Sequence, residues 1–114
     1  MVGSVSQSLE KYLDVLAARQ KLVTANIANV DTPGYKTKDV DFQSEFNALL
    51  SGSSTAPEPQ EVQNLKVNND GNNVDLDRET RMLSENSIRF SAVSNILKGQ
   101  IRIMKSAIHE GQGS

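Results

Sequence analysis

Two stripes of apolar residues, one at each end of the chain, constrain its fold more than any other feature. In the first, Leu9, Leu13, Leu16, Gln20, Val23, Ile27 and Val30 follow at intervals of four and three, and no Gly or Pro falls between Ser4 and Asp31. That is the spacing of a helix packed along a seam. In the second, Leu83, Phe90, Val93, Leu97, Ile101, Met104 and Ile108 recur at three, four or seven, with polar Asn86 in the one wide gap. At about 1.5 Å of rise per residue, the stripes predict rods of roughly 37 Å and 50 Å. The first is expected to stop near Asn29 to Asp31, because Thr32 precedes Pro33 and is pushed out of the helical region. The second is expected over 77–109, with Asp77 as N-cap, Glu79 in the first turn, Lys105 and His109 in the last, and Gly111 as the stop. Gly99 costs this helix about 1 kcal/mol relative to Ala unless another backbone comes close.

Between the stripes the chain changes character. Residues 31–75 hold 12 apolar residues in 45, whereas the two flanks hold 30 in 69. The middle has eight acidic and three basic side chains, and both flanks carry a small excess of base. Within it, Thr32-Pro33-Gly34-Tyr35 predicts a type II turn, with Pro presetting φ and Gly supplying a positive one. Phe42, Phe46, Leu49 and Leu50 suggest a short amphipathic helix. Ser51 to Gln60 reads as a Ser/Pro-rich linker whose shortening, by deletion of Ser53 to Pro57, should be mild. Val62, Leu65 and Val67, then Asn68 to Asn73 and Val74, suggest a small hairpin or extended arm around the Asp70-Gly71 turn. The expected fold is mainly α. Long N- and C-terminal helices (1–30 and 76–114) pair as an antiparallel coiled-coil hairpin, and a small irregular, β-containing segment (31–75) joins them.

Several functions are disfavoured by what the chain holds. With no Cys there is no disulfide scaffold, thiol catalysis or thiolate metal site. No run approaches 18 apolar residues, and the first ten residues lack the basic and apolar regions of a cleaved signal peptide, so export, if any, is expected by another route. His109 is the sole histidine and reads as a solvated side chain near a helix end. Asp39-Val40-Asp41 with Glu45 lacks the glycine of a calcium loop and reads as a turn-capping, solvated acidic segment. The Asp70 to Asp75 segment resembles a calcium-binding repeat only in outline and occurs once. The basic residues of the second flank (Arg78, Arg81, Arg89, Lys98, Arg102, Lys105) are diluted by four acids and lack interleaved aromatics, which argues against nucleic acid. No phosphate loop, nucleophile elbow or carboxylate pair is present, so no enzyme, cofactor, metal or small-molecule substrate is expected.

Two segments carry a resemblance. Residues 26–36 read Asn26-Ile27-Ala28-Asn29-Val30-Asp31-Thr32-Pro33-Gly34-Tyr35-Lys36, followed by Asp39-Val40-Asp41-Phe42. Gly71-Asn72-Asn73-Val74-Asp75-Leu76-Asp77-Arg78-Glu79 and Ser84-Glu85-Asn86 open the second helix. Together they resemble the bacterial flagellar rod, hook and hook-associated proteins, and most closely the proximal-rod members; residues 51–67 are unmatched. The resemblance implies a structural subunit of the basal-body rod, exported unfolded by the flagellar type III apparatus and stacked helically around a central channel. Its partners would be copies of itself, other rod proteins and the adaptor to the membrane ring.

The residues themselves suggest the mechanism. A lone helix pair buries one face of each member and is marginal in water. Leu22, Ile96 and Ile103 lie beside or off the seam and are expected to stay exposed in the monomer. The seams should therefore be completed by neighbours, with ordering of the end helices coupled to assembly. The alternative is a stand-alone helical binding module or secretion chaperone.

Overall fold

The computed structural model describes residues 2–52 and 58–113. The proposed deletion of Ser53 to Pro57 lies outside the described residues. Helix α1 spans Val2–Ala28, β1 Lys38–Asp39, α2 Phe42–Leu50, β2 Gln60–Glu61 and α3 Leu76–Gly113. The chain is 72 Å long and 25 by 17 Å across, with a radius of gyration of 18.5 Å. A compact chain of this length would have a radius of roughly 13 Å. The excess is the long helix pair.

The two long helices pack against each other in opposite directions. Asn72, just before α3, bonds to the carbonyl of Asn29, just after α1. Further along, Asn86 Nδ2 donates to Gln20 Oε1 at 3.2 Å. Gln20 and Asn86 are the polar interruptions of the two stripes, and here they meet as a pair. A polar pair inside an apolar seam holds register, because sliding either helix by one turn would strand both amides. Val15, Leu16 and Val23 are fully buried beside them.

The elements end differently from the sequence expectation. Helix α1 yields at Ala28 to i→i+3 bonds, from the amides of Asn29 to Asn26, Val30 to Ile27 and Thr32 to Asn29. Helix α3 starts at Leu76 and its N-cap is Asp75, not Asp77: Asp75 Oδ1 accepts from the amides of Asp77 (3.0 Å) and Arg78 (3.3 Å). Gly111 does not stop it; the helix runs to Gly113. A Cβ at Gly99 would meet nothing within 4 Å, so no neighbouring backbone justifies this glycine within one chain. With 38 residues against 27, α3 is longer than α1 by 11, roughly 16 Å of helix.

The middle segment lies against this hairpin. The expected type II turn is present: Gly34 has φ of 77° and the Tyr35 amide donates to Thr32 O at 3.2 Å. Helix α2 lies where Phe42 and Phe46 predicted it, and docks on α1 through Tyr12, whose ring meets both edge-on at 4.9 and 5.2 Å. Of the small hairpin or extended arm expected from Val62 onward, the hairpin does not form, while the turn at Asp70-Gly71 does, with the Gly71 amide donating to Asn68 O at 2.9 Å. Instead β2 precedes Val62 and pairs antiparallel with β1, Lys38 against Glu61 and Asp39 against Gln60. Turn chemistry still closes the loop at Asn68 to Asn72, where the Asn68 amide donates to Asn72 O at 2.8 Å. Its flanks bond to the first signature motif, which outcompetes pairing within a short arm.

Burial predicts unequal tolerance along the seam. Leu16→Ala should cost about 2–5 kcal/mol in denaturant-induced unfolding. Ile108→Ala, at a site 59% exposed, should stay within about 0.5 kcal/mol.

Candidate assembly surface and the junction that shapes it

Asparagine side chains join the two signature motifs. Asn26, in the last turn of α1, is fully buried. Its Nδ2 donates to Lys38 O at 2.8 Å while its Oδ1 accepts from Lys38 N at 3.1 Å and from the Tyr35 hydroxyl at 2.9 Å. One amide thus imitates a strand partner for β1. Asn72, also fully buried, donates through Nδ2 to Asn29 O (2.9 Å) and Thr32 O (2.8 Å) and accepts from Val74 N through Oδ1 (2.8 Å). It gives a second hydrogen bond to two carbonyls that each already accept a backbone amide, Asn29 O from Thr32 and Thr32 O from Tyr35. Asn73 Oδ1 accepts from Thr37 N at 2.6 Å. The Gly34 amide donates to Asp70 O at 2.9 Å, and Lys36 Nζ donates to Gly71 O. A Cβ on Gly71 would come within 3.3 Å of Gly34 Cα, and Gly71 has φ of 86°, so both sterics and backbone conformation select glycine there.

A charged cluster locks the same corner. Asp39 is buried and receives Arg19 Nε and Nη2, each at 3.0 Å, together with Arg78 Nη2 at 2.7 Å and the Val40 amide at 2.7 Å. Arg78 Nη1 in turn donates to Oε1 of Glu79, which is fully buried, at 2.7 Å. The solvated acidic segment expected around Asp39 is therefore corrected at this residue. Its carboxylate ties α1, β1 and α3 together, and solvation would have forfeited three guanidinium bonds. Glu79 Oε2 has no hydrogen-bond partner among the described residues. Burial raises the pKa of the Tyr35 hydroxyl above its ordinary 10.0, and the negative charge of Glu79 raises it further.

Of the motif residues, Asn26 is buried and Ile27, Asn29 and Tyr35 partly so, while Ala28, Asp31, Thr32, Pro33 and Gly34 are exposed. Asn29 Nδ2 reaches back to Ala25 O at 2.8 Å, and its Oδ1 accepts from Thr32 Oγ1 at 3.0 Å. Of the seam residues, Leu16 and Val23 are buried; Leu9, Leu13, Ile27, Leu83, Val93 and Leu97 are partly buried. Phe90, Ile101, Met104 and Ile108 are not covered, at 40–59% exposure. The structure thus brings the proximal seam together and leaves the distal part open. Beside Phe90, a groove of about 610 Å³ runs between the long helices, lined by Leu16, Ala17 and Gln20 on one side and Asn86 and Ser87 on the other. Asp39, Glu79, Asn72 and Asn73 escaped the sequence reading as buried groups, and Arg19 and Arg78 as their partly buried neighbours, because periodicity weighs apolar residues only. For all but Arg19, the one available signal was a place inside the two motifs.

Two outcomes test the junction. Asn72→Ala leaves the Asn29 and Thr32 carbonyls without this donor and should cost about 3 kcal/mol in chemical denaturation, whereas exposed Asn69→Ala should cost under about 0.5. Because the fold favours the neutral Tyr35 phenol, that stability is complete below pH 10.0 and is lost as pH rises through the raised folded pKa. In unfolding measured against pH, Tyr35→Phe should lose part of this alkaline decline.

The chain has relatives along almost its whole length. Residues 13–36, from mid-α1 through the signature turn, match the family model described as flagella basal body rod protein. It is 34% identical over 125 aligned positions to the flagellar basal body rod protein FlgB of Yersinia ruckeri, covering 90% of this chain and 91% of that protein. The FlgB of Escherichia coli K12 is 31% identical at the same coverage. That of Bacillus subtilis 168 is 31% identical over 93% of this chain and 94% of its own. With helix pairing, signature turn and whole-length similarity in agreement, the chain belongs to the FlgB family of flagellar basal-body rod proteins.

Proposed function

We propose that this chain serves as a structural subunit of the proximal rod, polymerising helically with itself and with other rod proteins into the hollow drive shaft of the flagellum. The observation that carries the reading is the open distal seam: Ile101, Met104 and Ile108 continue the stripe that α1 covers further down, yet stay exposed, and Phe90 is exposed within the covered part. A continuous apolar strip on a slender chain calls for a partner. Neighbouring subunits extend the seam and bury it, so α3 gains its full packing only in the assembly.

The same arrangement suits passage through the flagellar type III export apparatus. The hairpin has a narrow core, so an export channel works against little stability, and no helix among the described residues is long and apolar enough to cross a membrane. The closed corner around Asn72 and Asp39 re-forms after transit and sets the angle at which the middle segment leaves the helices. In this reading the rod lies across the periplasm, the adaptor to the membrane ring contacts its base, and the chain performs no catalysis.

Leu97→Asp places a charge where the covered seam passes into the open one. It should abolish co-purification of the chain with detergent-extracted basal bodies and abolish swimming, while secretion of the variant continues. Normal motility would contradict the role of the seam.

A further inference from the structure

Helix α3 carries a second apolar stripe, off the seam. Ile88, Ala92, Ile96, Gly99, Ile103 and Ala107 follow at intervals of four, four, three, four and four. The three isoleucines are 69%, 51% and 58% exposed, so α1 does not cover this face. Large and small side chains alternate strictly along it. The small end forms a shallow groove of about 570 Å³ lined by Gly99, Ile103, Ser106 and Ala107 with Arg102 and Glu110 at its edges. A Cβ on Gly99 would stand in open space, so nothing in the single chain accounts for a glycine in mid-helix.

The geometry points to a second copy of this chain as the occupant, bound with its α3 antiparallel. Laid against itself with the midpoint between Leu97 and Lys98, the stripe is self-complementary. Ile88 falls opposite Ala107, Ala92 opposite Ile103, and Ile96 opposite Gly99 of the second copy, and the same pairs repeat across the two-fold axis. The residues form two i, i+4 ridges, 88–92–96 and 99–103–107, and such ridges interdigitate at a crossing angle of about 50°. Gly99 sits beside the crossing point, where the helices are closest and a side chain would hold them apart. The register also sets Asn95 near Arg102 of the second copy, an amide oxygen against a guanidinium on each side of the axis. Glu85 and Glu110, the acids that would otherwise face each other, lie about 19 Å from the midpoint, where the crossed helices have diverged.

A contact of this kind is isologous and closes on itself, so it cannot propagate into a filament. It uses a face distinct from the seam and does not depend on the proposed rod function. A single crossing of two helices is a small contact, so the pair is a weak, readily dissociated one. It shelters the isoleucine face of a subunit that is not in an assembly.

The chain has no cysteine, so disulfide trapping reads the register directly. Purified full-length Ala92→Cys and Ile103→Cys variants, mixed and oxidised, should cross-link to each other far more than either does alone. Like residues lie 11 positions apart in this register, about 16 Å along the helix. Cross-linking of each variant mainly to itself would indicate parallel helices and overturn the proposal, as would no cross-linking in concentrated solution. Gly99→Leu, checked by circular dichroism for retained helix, should weaken self-association in sedimentation equilibrium at least tenfold. An unchanged dissociation constant would overturn it too.

Discussion

The fold depends on a handful of side-chain amides that do the work of backbone. Asn26 lends β1 a donor and an acceptor, and Asn72 adds a second bond to two carbonyls of the turn that ends α1, while also receiving the amide of Val74. Without them the Lys38 backbone and the amide of buried Val74 would lose these partners, at a cost of about 1–3 kcal/mol for a buried group left unpaired. Because the bonds of Asn72 to Asn29 and Thr32 span 43 and 40 residues, they convert two local turns into one corner. That corner fixes where α3 starts relative to where α1 stops, and hence the antiparallel pairing.

Charge adds direction to this corner. Asp39 receives two guanidiniums, from Arg19 on α1 and Arg78 on α3, and Arg78 also engages Glu79. A buried network of this kind contributes little net stability over an apolar replacement, but removing one member costs several kcal/mol because the others are stranded. Its effect here is to penalise other arrangements of the two helices. Gln20 with Asn86 does the same further along the seam. Polar contacts therefore specify the arrangement near the turn, while apolar contacts hold the hairpin. With distance from the turn both thin out, and the distal part of α3 is left with exposed Ile101, Met104 and Ile108. A subunit ordered at one end and unfinished at the other is suited to completion by neighbours.

Much of the architecture was legible because helical periodicity is a local property. The stripes from Leu9 to Ile27 and from Leu83 to Ile108, the turn at Pro33-Gly34 and the helix at Phe42 all depend on residues within a few positions of each other. The misread features are those decided by competition at a distance. Asp75 rather than Asp77 caps α3: both are acceptable caps, and the one two residues earlier adjoins Val74, whose amide Asn72 holds. The arm after Val62 forms no strand among the described residues: the Val62 amide goes to Thr37 O, and the loop at Asn68 to Asn72 closes on itself and is held by the first motif. Asp39 reads as a solvated acid in the sequence because its cations come from positions 19 and 78.

Spacing and turn chemistry therefore dictated that this chain would be two long amphipathic helices joined by a polar segment, since each depends on neighbours within about one or two turns. The sequence also holds two motifs that together resemble the flagellar rod proteins, and the family model covers the chain through Lys36 of the first. Tertiary structure alone decided that these motifs are two halves of one hydrogen-bonded junction. It also decided which part of the seam is buried and which is left for a partner. Those outcomes turn on how far α1 reaches along a longer α3, a geometric mismatch that becomes visible only when both helices are placed in space.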